Sequence, residues 1–472
     1  MSGNFSLNGV LMDIAGAAIS KAGSTRKEIP RCSQKPDAVT ATVLAGFLLV
    51  FVATACCSSP VLANDLLRTT SGAAALGSGG VSLLATDPLA AMSNNPALLG
   101  GQDRSIQIGG QAVLVDAKFR SSRSELVKAK PGPGLIPEAA LVLPLQDSRV
   151  TIGALVMLRS ALRAEFDFVD PPGTLNVSYG RQRHLSEYVV LETSAGIGFK
   201  ISDQLSLGAS LGLLYNRNTL QAPYIFQTHP VLTGLKVLVD LEADDLAASG
   251  KVGVRYRFTD EVNFSLSYSA QTDFESRGKL SGDLSRLGLG IQSDFNYRAL
   301  VKTALPATLS TALAWSVTDS LTAGLQLDWI HWSAAFDRLP LVLTRGTNEE
   351  LNDFLSSDSI DDTAPLGWKD QLGIQLGIRY QIRAATTLRA GVGIDEVPVP
   401  QATFTPMTGA ILDRSLSLGF STSGFSGYQL DIGYRYSKGS EFGVRESLLA
   451  GGEYTNSRLD LALHTLFASF RF

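Results

Sequence analysis

From about residue 104 onward, apolar residues alternate with small or polar ones at a period of two. Leu205, Leu207, Ala209, Leu211 and Leu213 are separated by Ser206, Gly208, Ser210 and Gly212, and the same pattern runs through 321–329, 371–380 and 428–436. Shorter copies occupy 252–258 and 262–268. This periodicity predicts strands with two unlike faces. A soluble sandwich turns its apolar face to a second sheet and a membrane barrel turns it to lipid, so alternation alone does not separate the two.

The turns do separate them. A Ser/Thr-Asp pair followed two residues later by Leu or Val recurs at Ser202-Asp203, Thr259-Asp260 and Thr318-Asp319, with Asp147-Ser148 a looser copy. The four aspartates are spaced by 56, 57 and 59 residues. Each interval holds two strands and one long connection, which puts tight turns at one end and long loops at the other, as in outer-membrane barrels. The expected fold is therefore all-β: an antiparallel transmembrane β-barrel of about fourteen strands, with both termini on the periplasmic side. Closure follows from the solvent, because lipid offers no hydrogen bonds to a free sheet edge.

The long apolar run near the N-terminus reads as an export signal. Lys21, Arg26, Lys27, Arg31 and Lys35 precede an apolar stretch from Val39 to Ala55, and Val61-Leu62-Ala63 ends it before Asn64. This makes 1–63 a cleaved presequence, with Met12 a second candidate start, 64–103 a separate segment and 104–472 the barrel. All three cysteines (Cys32, Cys56, Cys57) fall in the presequence. The mature chain then has no thiol to misform a disulfide in the periplasm; the alternative reading makes Cys56 a lipidated residue. Charge is balanced, 40 Lys and Arg against 44 Asp and Glu, with no basic block. Nucleic acid is excluded as a partner on that ground.

Between Asn64 and Asp103 the composition turns small and nearly uncharged, as in Ser71-Gly72-Ala73-Ala74-Ala75-Leu76-Gly77-Ser78-Gly79-Gly80. A disordered leader is usually charged and polar. A hatch packed inside the lumen is the expected alternative, and the many inward Gly and Ser positions leave room for it.

Asn95-Pro96-Ala97 at the end of this segment resembles the turn before the first strand in the FadL family of outer-membrane long-chain fatty acid and aromatic hydrocarbon transporters. LPATLSTALAWSVTDSLTAGLQLDWIHWS (305–333) is similar to that family's Leu-Pro-x-Thr-Leu strand and Trp-x-x-Trp-Ser strand end, and Trp368-Lys369-Asp370-Gln371 and Asp395-Glu396-Val397-Pro398-Val399-Pro400 agree as well. The resemblance covers 64–472. It implies energy-independent uptake of a hydrophobic small molecule, caught by external loops, bound in an apolar lumen and released sideways past a kinked third strand when the hatch moves. It also implies a monomer without cofactor, set among outer-membrane lipid and lipopolysaccharide. The C-terminal Phe467-Ala468-Ser469-Phe470-Arg471-Phe472 resembles the signal read by the barrel-assembly machinery, with Phe472 its terminal aromatic.

Two loops are candidates for first contact. Residues 231–248 (Leu235, Val237, Leu238, Leu241) read as a short helix that either captures ligand or packs on its own barrel. The loop 336–368 is acidic in its second half (Asp358, Asp361, Asp362), as a solvated outer surface is. One departure concerns the third strand: where the family has Pro or Gly at the kink, this chain has neither around Leu158, Arg159 and Ser160. The four histidines show no metal-ligand spacing, and no nucleophile elbow or phosphate loop is present, so neither an enzyme nor a metal protein is expected. His331, between Trp329 and Trp332, reads as part of an interfacial aromatic belt. A plugged structural or adhesive barrel and a polar-solute porin remain as alternatives, but in the last strand Leu459, Leu461 and Leu463 oppose Leu466, Ala468 and Phe470. Two apolar faces suit a hydrophobic conduit better than a water-filled pore.

Overall fold

The computed structural model describes residues 67, 69–85, 87–123, 125–130, 134–145, 149–174, 176–288, 290–425 and 428–472. The export signal, its cysteines and the Asp147-Ser148 turn lie outside the described residues. Among the described residues twenty strands run in chain order: β1 (Ser105–Arg120), β2 (Leu126–Lys128), β3 (Gly134–Pro144), β4 (Val150–Val169), β5 (Arg181–Lys200), β6 (Leu205–Ile225), β7 (Lys236–Arg257), β8 (Val262–Ser269), β9 (Thr272–Asp283) and β10 (Asp294–Leu305). They continue with β11 (Thr308–Ser316), β12 (Leu321–Ile330), β13 (Arg338–Thr344), β14 (Ile360–Pro365), β15 (Gln371–Arg383), β16 (Thr386–Asp395), β17 (Leu412–Phe425), β18 (Tyr428–Gly439), β19 (Phe442–Gly443) and β20 (Arg458–Arg471).

The pairs β2/β3, β8/β9, β10/β11, β12/β13, β14/β15 and β18/β19 are halves of single wall strands, so that among the described residues the wall is a closed, antiparallel, fourteen-stranded barrel. Pro306, which has no N–H to give a ladder, sits at the break between β10 and β11. The seam closes where β20 returns to β1, from Gln107–Arg471 to Arg120–Arg458. Ser202, Thr259 and Thr318 cap the tight turns that the spacing predicted: each hydroxyl accepts the N–H three residues on, at 3.1, 3.2 and 3.1 Å.

The faces are inverted relative to a soluble protein. Leu211 is 76% exposed while its strand neighbours Ser206 and Ser210 are buried, and Leu372, Ile374, Leu376 and Ile378 point outward while Gln375 points in. In β20 both faces are apolar: Leu466 is 56% exposed, Leu461 only 1%.

Three expectations are corrected. Residues 236–248 are not a helix but the first half of β7, because Val237, Val239, Leu241 and Ala243 alternate on one buried face and pair with β6 and β9. The loop 336–368 is largely β13, β14 and a helix (Glu349–Leu355), and its Asp362 is 2% exposed rather than solvated. Trp329 does face outward, with His331 stacked on it at 5.0 Å, but Trp332 turns into the lumen and leaves the belt.

Candidate functional site: the hatch and the lumen

The hatch lies inside the wall as two short helices, α1 (Ala73–Gly77) and α2 (Pro88–Ser93), and two 3-10 turns, Ser82–Leu84 and Pro96–Leu99. Its small residues let backbone meet backbone: the chain passes so close that a Cβ on Gly377 would stand 2.2 Å from the Ser78 carbonyl oxygen. Asp87 starts α2, accepting the Ala90 N–H at 2.8 Å with Pro88 following, a combination that fits the first turn of a helix.

Asn95 ties the end of the hatch to the wall. Its side-chain oxygen accepts the Ala97 N–H at 2.9 Å, while its Nδ2 donates to the carbonyl oxygens of Val254 (3.1 Å) and Leu266 (3.2 Å), partners on one rung of β7 and β8. The seat needs a rung without side chains, and Gly208 opposite Gly253 supplies it. A Cβ on Gly208 would lie 2.3 Å from the Ala97 nitrogen, and one on Gly253 1.9 Å from Asn95 Oδ1. Pro96 and Ala97 therefore pack directly on the wall.

Further grips come from charged residues on inward strand faces. Glu138 of β3 accepts from the Ser71 hydroxyl and, at 3.2 Å, from the Gly72 N–H. The C-terminal carbonyls of α2 are held by Lys251 of β7, whose Nζ donates to Met92 O at 3.2 Å and to Ser93 O, and by Arg159 of β4, which donates to Ser93 O at 3.1 Å. Cations at a helix C-terminus satisfy its last carbonyls and complement its dipole. Glu192 stands 3.8 Å from Arg159.

The third strand does kink. The β4–β5 register slips between Leu158 and Ser160, a β-bulge centred on Arg159. The β3–β4 ladder ends at Glu138–Met157, whereas β4 continues against β5 up to Val169–Arg181 and β3, from Pro137 to Gly134, keeps only its partner β1. Residues 155–162 are buried on both faces, unlike the alternating strand on either side, so the bulge carries this stretch inward. One inserted residue bends a strand without Pro or Gly; Arg159 at its centre reaches the hatch at Ser93 O, Leu158 joins the cluster that holds Leu67, and Ser160 is fully buried.

Beyond the hatch the lumen is apolar. Leu67 joins one cluster with Phe119, Phe166, Phe168, Leu459, Leu461 and Leu463. The two tryptophan motifs meet there: Trp332 lies 5.2 Å from Trp368, and its Nε1 donates to Gln371 at 2.9 Å. Phe336 stacks on Trp368 at 5.0 Å. Asp395 and Pro398 line a cavity of about 90 Å³ beside Leu67, Thr69 and Trp332, and Pro400 leads into the turn that carries the buried Phe404 inward. Val237 and Leu241 instead belong to a second apolar cluster in the external extension of the wall, Leu235 packs at its margin, and Leu238 faces a separate outer hollow.

The external loops are fastened over the apolar lumen. Lys236 is 1% exposed and donates to Asp170 (2.7 Å), Pro171 O and Glu453 (2.5 Å), joining three loops. Asp362 accepts the backbone N–H groups of Gln227, Thr228 and His229 at 2.9, 2.7 and 3.2 Å, together with the Tyr224 hydroxyl at 2.5 Å. Sequence reasoning missed these charged residues, although Glu138, Glu192 and Lys251 carried a signal as ionisable groups on the inward face of strands.

Solved structures share the fold. A FadL homologue of Pseudomonas aeruginosa superposes with a TM-score of 0.69 at 18% identity, over 86% of this chain and 99% of that one. The toluene transporter TodX of Pseudomonas putida gives 0.67 at 19% over 86% and 98%, and the toluene transporter TbuX of Ralstonia pickettii 0.64 at 16% over 86% and 99%. No curated protein matches the chain. The family model for outer membrane protein transport proteins (OMPP1/FadL/TodX) matches residues 49–472, so this barrel, with its hatch and apolar lumen, belongs to that family of outer-membrane transporters of hydrophobic compounds.

Proposed function

We propose that this barrel takes up long-chain fatty acids or related hydrophobic small molecules by energy-independent diffusion, with the hatch as gate and the Arg159 bulge as a lateral outlet. The observation that carries the reading is the position of the bulge: the β3–β4 ladder ends beside the apolar cluster that includes Leu158, Leu162 and Ala164, so an apolar ligand there adjoins the one interrupted rung of the third strand. Straight passage to the periplasm would take it past Arg379, Arg389 and Arg471 at the far mouth, and burying apolar groups against guanidinium groups is unfavourable. Leu67 also caps a small cavity holding Arg159, Lys251 and Glu192, two cations to one carboxylate, which suits a ligand with an acidic head. Asn95, Pro96 and Ala97 seat the hatch, and loss of the Arg159 and Lys251 grips on α2 would release it. We also read Phe472, whose N–H and carbonyl both bond Ile106 at 2.9 and 3.1 Å, as the end recognised in barrel assembly.

The test is uptake of labelled oleate and toluene by cells or liposomes carrying the full protein or one lacking residues 64–97. The intact protein is expected to pass at least one of them, and the deletion to change its rate. If neither ligand binds or crosses, the transporter reading fails; an unchanged rate in the deletion removes the gate alone. A polar porin is disfavoured by Leu459, Leu461 and Leu463, which present apolar side chains to the lumen.

A further inference from the structure

At the periplasmic end, between hatch and wall, lies a second cavity of about 150 Å³ lined by Arg379, Arg389, Arg471, Asp87, Ser421 and Gln429, among others. It sits beside the tight β15–β16 turn and the end of β20, remote from the apolar lumen. Arg379 donates to Thr322 Oγ1 at 3.3 Å, and Arg389 to Ser421 Oγ at 3.2 Å and to the hatch carbonyl of Leu84 at 2.8 Å. Among the described residues, neither guanidinium has a carboxylate within 4.0 Å. Among the described residues that line the cavity, Arg379, Arg389 and Arg471 are the cations and Asp87 the carboxylate, with Asp431 close enough to act on Arg389. Asp431 is engaged, accepting from Gln429 Nε2 at 2.8 Å. Asp87 uses Oδ1 to cap α2, but its Oδ2 is buried with no hydrogen-bond partner among the described residues.

The combination is selective. Guanidinium groups and hydroxyls favour an oxyanion, and Arg matches tetrahedral oxyanions through its fork of donors. A buried carboxylate oxygen without a donor asks for one, since an unmade hydrogen bond there costs about 1–3 kcal/mol. A ligand that is anionic yet carries its own O–H satisfies both demands. We propose that this cavity binds inorganic phosphate from the periplasmic side, its unprotonated oxygens on Arg379 and Arg389 and its hydroxyl donating to Asp87 Oδ2. Bound phosphate bridges the hatch, through Asp87, to the wall, through Arg379. Sulfate has the same shape but no proton at neutral pH, so Asp87 repels it.

Titration calorimetry of the full chain in detergent, at low ionic strength and pH 7, tests this with inorganic phosphate and with sulfate. Expected are saturable 1:1 binding of phosphate, at least tenfold weaker binding of sulfate, and at least tenfold weaker phosphate binding in Arg379→Gln. Asp87→Asn keeps a capping oxygen and is expected to narrow the phosphate-to-sulfate ratio, while Arg286→Gln in an external loop leaves binding as it was. Each variant is first checked for the heat-dependent gel shift of a folded barrel, with Arg389→Lys replacing Arg379→Gln should the latter not fold. No phosphate binding by the folded protein, equal affinity for sulfate, or undiminished binding in the folded arginine variant overturns the proposal.

Discussion

Replacing Lys236 by Met removes the cation on which the three external loops converge while keeping much of the side-chain volume. Asp170 is fully buried and Glu453 nearly so, and both would be left facing each other without a counter-charge. Breaking a buried ion pair from one side costs about 3–5 kcal/mol. The barrel wall does not share this cost, because the triad joins loops and the strand ends beside them, so the free energy appears as local opening of the cap. At about 1.4 kcal/mol per factor of ten, the open population rises at least 100-fold. Tryptic nicking at the exposed Arg445 in intact cells follows that population when opening is fast relative to cleavage. A rise of less than threefold would show that the triad does not hold the cap shut. Burial raises the Glu453 carboxyl to about 7, against the pull of the Lys236 ammonium. A folded-state value above that of a free glutamate, about 4.3, means that the closed cap holds a proton the open loop releases. This contribution to closure is complete below about pH 4.3 and is lost as the pH climbs through 7. Nicking of the wild type, normalised to a free peptide, is expected to accelerate from pH 5 to 8, and Glu453→Gln to flatten that rise.

Three further outcomes are expected. Gly208→Val places side-chain atoms where the Pro96-Ala97 backbone lies, so hydrogen exchange across 95–99 should quicken at least tenfold in a barrel that still assembles; unchanged exchange would mean that the seat has been misplaced. Deleting Arg159 restores a regular β4–β5 ladder and should cut oleate uptake at least tenfold below that of Arg159→Ala, which loses the same side chain but keeps the bulge; equal uptake by the two variants rules out the bulge as outlet. Leu461→Gln should lower ligand affinity without affecting assembly, while Leu466→Arg, on the lipid face, should impair assembly by about 2–4 kcal/mol if it lies near the midplane, and the reverse pattern would mean that the two faces of β20 have been exchanged.

The wall was readable because its signals are local: a period of two, short polar turns and their spacing survive in any window of the chain. The Asn95 motif was readable for the same reason, being three consecutive residues. The Arg159 bulge was not, since a bulge is a property of pairing between β4 and β5 and leaves no mark on one strand once Pro and Gly are absent. Lys236, Asp170 and Glu453 lie 66 and 217 residues apart, and nothing in their neighbourhoods announces partners so distant. The 231–248 stretch was ambiguous for another reason: Leu235, Leu238, Leu241 and Leu246 suit a helical stripe, while the interleaved Val237, Val239 and Ala243 suit a strand. Pairing with β6 and β9 decided between them. Asp362 was misread because its acidic neighbours are solvated while it fills a nest of backbone amides.

The Gly208–Gly253 rung also bears on how such a protein can diversify. Where the hatch is seated, the fit is made by main chain, and any added carbon collides; that region has almost no freedom to drift. The apolar lumen is built instead from interchangeable side chains such as Leu459, Leu463 and Phe336, each replaceable by a neighbour in size at modest cost. Selection can therefore reshape the upper lumen through single substitutions while the seat of the hatch is inherited unaltered.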